Sequence, residues 1–168
     1  MANTYTLIAS YAATGSVANI EFTTIPATYT DLLVKVSSRT VDSGTGINIT
    51  FNSDAGANYK WIRLYGNGSS VTSNNSTSAN YISSNFMNQF TYTANTFGNG
   101  DIYITNYASS NTKTVSIDGV TENNATGSFA ILSTGSWTTT AITSIKLESD
   151  GGTIAQHSTA YLYGIKNS

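Results

Sequence analysis

A hydrolytic Ser-His-Asp centre needs an imidazole that is held by a carboxylate and faces a hydroxyl. This chain offers one imidazole, His157. Ser158 follows it and Asp150 precedes it closely, but serine recurs along the whole chain and no Gly-x-Ser-x-Gly elbow is present. The simpler reading places His157 on the polar lead-in to the last strand. One histidine and no cysteine cannot supply the three or four N or S ligands of a zinc site. Asp42-Ser43-Gly44 and Asp150-Gly151-Gly152 are too sparse for calcium and read as turns. Glu21 and Glu122 sit in or beside alternating runs, where a solvated strand face explains them better than an opposed glycosidase pair. Gly66-Asn67-Gly68-Ser69-Ser70 lacks the lysine and following helix of a phosphate loop. The expectation is no catalytic centre, no metal and no cofactor.

The densest cluster of interaction-prone side chains is Asn58-Tyr59-Lys60-Trp61-Ile62-Arg63-Leu64-Tyr65. If this segment is extended, Tyr59, Trp61, Arg63 and Tyr65 share one face, opposite Lys60, Ile62 and Leu64. Aromatic residues interleaved with arginine are enriched at interface hot spots, and the same residue types stack on sugar rings. A strand whose aromatic face covers the edge of the core is the competing reading, and both stay open. Tyr59, Trp61, Arg63 and Tyr65 are the candidate contact residues. Trp137, in Ser136-Trp137-Thr138, reads as an anchor in a loop or at a sandwich end.

The elements that must position these residues are strands. Apolar residues alternate at Tyr5-Leu7-Ala9-Tyr11, Ala18-Ile20-Phe22, Leu32-Val34-Val36, Ile47-Ile49-Phe51, Ile102-Ile104, Val115-Ile117, Phe129-Ile131, Ile145-Leu147 and Tyr161-Tyr163-Ile165. Period-2 alternation marks strands with one buried face. Turn residues punctuate them at Thr14-Gly15-Ser16, Ser43-Gly44-Thr45-Gly46, Gly66-Asn67-Gly68, Gly98-Asn99-Gly100 and Asp150-Gly151-Gly152. Pro26 marks a corner between two strands. The Asn-rich stretch from Thr72 to Asn80 reads as an exposed loop, and a single short helical turn is conceivable near Asn58–Leu64. Short strands between such turns describe an all-β, antiparallel, jelly-roll-like β-sandwich of eight or more strands, with residues 1–168 as one domain.

Composition narrows the setting. Ser, Thr and Asn outnumber Lys, Arg, Asp and Glu about four to one, and charged residues are 10% of the chain where roughly 25% is usual. Disorder is excluded by 11 Tyr, 6 Phe and 2 Trp placed within alternating runs. A net charge of −2, with scattered basic residues, argues against a nucleic-acid partner. The opening residues carry no basic start with an apolar core, and no apolar run approaches the ~18 residues that cross a bilayer. Neither a secretory route nor a membrane partner is expected.

Three segments carry a family resemblance. They are Tyr5–Ser10 with Ser16–Phe22, Ile25-Pro26 and Tyr29–Leu32; Asn58–Gly68; and Ala160–Ile165. Together, across Tyr5 to Ile165, they resemble a β-sandwich module of virion surface proteins in tailed bacteriophages, particularly phages of cyanobacteria and other aquatic hosts. The resemblance implies head decoration, head fibres or tail-fibre tips, usually trimeric, with no catalytic residues to carry over. Fibre proteins place the module after a shaft or attachment domain, whereas this chain starts almost at the module. The expectation is therefore a capsid decoration or cement protein on the virion surface, assembled in the host cytoplasm. It would form a homotrimer and bridge capsomers through the major capsid protein or other virion proteins. The alternative is a fibre tip that recognises a host surface glycan.

Overall fold

The computed structural model describes residues 4–122, 128–138 and 140–166. Among them are twelve strands and no helix: β1 (Tyr5–Ala12), β2 (Asn19–Phe22), β3 (Asp31–Ser38), β4 (Ile47–Phe51), β5 (Tyr59–Gly66), β6 (Val71–Ala79), β7 (Ile82–Ser84), β8 (Gly98–Ile104), β9 (Lys113–Glu122), β10 (Ser128–Trp137), β11 (Ile145–Ser149) and β12 (Thr159–Ile165). The strands form two antiparallel sheets packed face to face, one of eight strands in the order β1-β12-β3-β8-β9-β10-β5-β6 and one of four in the order β2-β11-β4-β7. The fold is the β-sandwich that the alternation predicts, and it is not closed into a barrel.

The alternating residues supply the interior. Leu32, Val34 and Val36 of β3, Ile102 and Ile104 of β8, and Val115 and Ile117 of β9 point inward. They meet Ile47, Ile49 and Phe51 of β4 and Ile145 and Leu147 of β11 in one buried cluster. Each such side chain contributes roughly 1.5–3 kcal/mol of burial.

Four expectations are corrected. Gly98-Asn99-Gly100 does not turn the chain. It begins β8; the missing side chain of Gly100 makes room for the Phe86 ring, since a Cβ there would lie 2.7 Å from Phe86 Cγ, and that of Gly98 makes room for the Phe86 backbone. Thr72–Asn80 is mostly strand, because β6 spans Val71–Ala79 and pairs with β5. Tyr5, Leu7, Ala9 and Tyr11 do not share one face. A bulge between Leu7 and Ala9 shifts the register against β12, so Leu7 stays 52% exposed while Ala9 and Tyr11 pack on the core; the extra residue of a bulge reverses the alternation. In β12 the inward residues are Ala160 and Leu162, and Tyr161 is exposed on the outer face.

Candidate functional site

β5 runs between β10 and the edge strand β6. Its register with β10 pairs Tyr59 with Trp137, Trp61 with Gly135, Arg63 with Ser133 and Tyr65 with Ile131. The whole candidate face Tyr59-Trp61-Arg63-Tyr65 is turned toward the small sheet, and its surroundings change along the strand.

Tyr59 is wholly buried. Its ring stacks on Trp137 with 6.2 Å between centroids and leans on Phe51 at the same separation. Its hydroxyl accepts from Phe51 N at 3.0 Å and lies 3.1 Å from the Asp54 carbonyl. Burial pushes this phenol up to about 12. The Trp137 indole donates to Asp54 Oδ2 at 2.8 Å, and that bond leads in holding the Asp54 carboxyl below its usual range. Lys113, also fully buried, donates to the Thr140 carbonyl at 2.6 Å and sits 5.5 Å from the Trp137 ring centroid. Trp137 therefore closes one end of the sandwich, and Tyr59 belongs to the core.

Farther along β5 the packing loosens. Trp61, Arg63 and Tyr65 are half-buried. The Arg63 guanidinium lies 5.4 Å from the Trp61 ring centroid and 5.8 Å from that of Tyr65. Its Nη1 donates to Ser83 Oγ at 3.1 Å and to Asn85 Oδ1 at 2.6 Å. Arg63 Nε and Trp61 Nε1 are buried without a hydrogen-bond partner. Burial lowers the Arg63 pKa.

Past Tyr65 the two sheets leave a partly enclosed cavity of about 340 Å³. Tyr65, Phe129 and Ile131 line it from the large sheet, Asn85 and Gln89 from the segment after β7, and Tyr92, Thr45 and Thr121 complete it. Tyr65 and Phe129 meet edge to face at 6.4 Å. Tyr92 is placed by Arg39, whose Nη1 donates to the carbonyls of Thr93 and Thr96 and whose Nη2 donates to those of Phe90 and Tyr92, at 2.9–3.1 Å. A planar guanidinium with donors on both nitrogens suits such gathering of carbonyls. Fully buried Asn88 ties the same segment to β9 by donating to the Glu122 carbonyl at 2.9 Å.

The opposite face of β5 is open. Ile62, Leu64, Val71, Val120 and Leu132 are all exposed, Val71 most at 76%. Leu64 pairs directly with Leu132, and Gly66 pairs with both Ala130 and Val71. Because Val120 pairs with Ala130, it lies diagonal to Leu132, within side-chain reach. All of these but Ile62 line a shallow depression of about 570 Å³, together with Asp101 and Asp118.

The residues weighed for chemistry are dispersed. His157 is exposed in a tight turn at φ 70°, and its N–H donates to the Ala13 carbonyl. The Ser158 hydroxyl is taken up by the Arg39 backbone. Asp150 accepts from Gly46 N, and Glu21 stands opposite Lys146 on the small sheet. Among the described residues no group of three or more His, Cys, Asp or Glu converges. The cavity residues Asn85, Gln89, Tyr92 and Thr121 lay outside the sequence expectation. They come from irregular segments and a strand end, and only folding brings them to Tyr65.

No family model, no curated protein and no solved structure matches this chain.

Proposed function

We propose that the protein is a non-enzymatic structural subunit of a phage virion surface, a decoration protein that trimerises and bridges capsomers. The observation that carries the assembly part is the uncovered aliphatic stripe Ile62, Leu64, Val71, Val120 and Leu132 beside the edge strand β6. Monomeric proteins rarely expose contiguous apolar surface of this kind. Edge strands normally carry charge or proline to resist pairing, and Val71–Ala79 has neither. A second copy of the chain suits this surface, because 10% charged residues leave little repulsion between copies and closed symmetry buries like surfaces. The virion setting rests on the sequence resemblance.

Light scattering of the purified chain at micromolar concentration tests assembly. The expected mass is three times 17.8 kDa, falling to a single chain in Leu64→Glu. A single-chain mass for the unaltered protein contradicts the reading. Quantifying the protein in purified particles tests the setting, with hundreds of copies expected for a decoration protein and a few to tens for a fibre.

A further inference from the structure

The cavity beyond Tyr65 is a different kind of surface from the aliphatic stripe. Three aromatic rings, Tyr65, Tyr92 and Phe129, contribute to its wall, and the polar groups that join them carry no formal charge. Its volume of about 340 Å³ lies within the usual range for small-molecule sites.

Among the described residues, its polar groups keep unused bonding capacity. Asn85 gives its oxygen to Arg63, which leaves its amide N–H groups as donors. The Gln89 side chain makes no hydrogen bond among the described residues. Thr121 is 1% exposed, and its hydroxyl meets no partner in good geometry, although it partly offsets the effect of burial on the Tyr92 phenol. A buried hydroxyl without a partner costs about 1–3 kcal/mol. Such a cost persists most readily where a ligand or water completes the bonding.

Aromatic faces combined with amide and hydroxyl groups, and no lining charge, match one ligand chemistry. A neutral pyranose presents an apolar C–H face to an aromatic ring and hydroxyls at its rim. No charged side chain lines the cavity itself, and the guanidinium beside it, that of Arg63, commits its Nη1 to Ser83 and Asn85. We infer that the cavity formed by Tyr65, Asn85, Gln89, Tyr92, Thr121 and Phe129 binds a neutral pyranose sugar. Arg39 acts as a positioning residue, holding the Phe90–Thr96 segment so that Tyr92 faces the site. The site is independent of assembly through the outer face of the sheet.

The test is a titration of the full chain, followed by NMR, with methyl glycosides of glucose, galactose, mannose and N-acetylglucosamine. A methyl glucuronide and indole serve as the charged and purely aromatic comparisons. The expected result is saturable binding of at least one neutral glycoside, with shifts at Tyr65, Tyr92 and Phe129. Affinity should fall about tenfold or more in Tyr92→Ala and measurably in Gln89→Ala, a change of about 1.4 kcal/mol for each factor of ten. Gln89→Ala should keep the wild-type melting profile, since among the described residues the Gln89 side chain makes no hydrogen bond; Tyr92→Ala leaves the Arg39 bond intact, because that bond is to the Tyr92 carbonyl rather than its ring. No binding by any neutral glycoside, tighter binding of glucuronide or indole, or binding unchanged in both variants would overturn the inference. Light scattering on the same samples shows whether assembly survives, so failure of one reading is distinguishable from failure of the other.

Discussion

The two faces of the large sheet are built from the same strands and serve opposite ends. Along β5, Tyr59, Trp61, Arg63 and Tyr65 turn inward beneath the four-stranded sheet, while Ile62 and Leu64 turn out to solvent. The inner face is aromatic and hydrogen-bonded, tight around Trp137 and loose around Tyr65. The outer face is aliphatic and uncovered. The four-stranded sheet covers only one face of the large sheet, so the other face must meet something else or remain wet. Residue type alone does not decide which face that is: of the aromatic and arginine residues on the inner face, Tyr59 is core, while Trp61, Arg63 and Tyr65 are half-buried.

The largest effect should come from the tight part of the inner face. Trp137→Ala removes the ring that stacks on Tyr59, packs on Phe51 and bonds to Asp54. Equilibrium denaturation should show a loss of about 3–5 kcal/mol. A loss below 1 kcal/mol would mean that this end is not the closed core described.

Tyr59→Phe comes next. It leaves Phe51 N–H without its buried partner, at a cost of about 1–3 kcal/mol. It also changes the alkaline limb. The Tyr59 phenol is pushed up to about 12 when folded, against about 10 unfolded. The folded state therefore holds its proton more tightly. The associated stabilisation is complete below about pH 10 and is lost as pH rises through about 12. Melting temperature against pH should fall less steeply between those values in Tyr59→Phe than in wild type. Tyr92 and Tyr107, also pushed up by burial, keep part of the slope. Identical slopes would place Tyr59 in contact with water.

On the outer face the effect on stability should be small and the effect on assembly large. Leu132→Ser should shift monomer stability by no more than about 0.5 kcal/mol while lowering the oligomeric mass. A stability loss of several kcal/mol would show that Leu132 is covered within one chain. Val71→Lys, at the β6 edge, should act in the same sense with the smallest stability change, since Val71 is 76% exposed.

The alternation made the sandwich legible, because β3, β4, β9 and β11 each place apolar residues on one buried face. It failed where the cause of strand formation is not apolar. β6 contributes almost nothing to the core and is held by backbone pairing to β5, so Val71–Ala79 carries a loop-like composition. Gly98 and Gly100 lie in a strand because the Phe86–Asn88 backbone crowds the first and the Phe86 ring the second, a long-range cause that no local pattern records. The grouping of Tyr59, Trp61, Arg63 and Tyr65 on one face was legible; the direction of that face depended on the small sheet, whose edge strand β7 packs against β5. The cavity was not legible, since Asn85, Gln89 and Tyr92 come from irregular chain that Arg39 gathers through four backbone carbonyls.

If copies of the chain meet at the aliphatic outer face beside β6, that face is shielded only in the oligomer. Amide hydrogen exchange measured at low and high protein concentration tests this most directly. The expected result is concentration-dependent protection confined to β6 and the neighbouring ends of β5, β9 and β10, with the small sheet unchanged. Protection that does not depend on concentration, or that appears on β2, β4 and β11 instead, would contradict it.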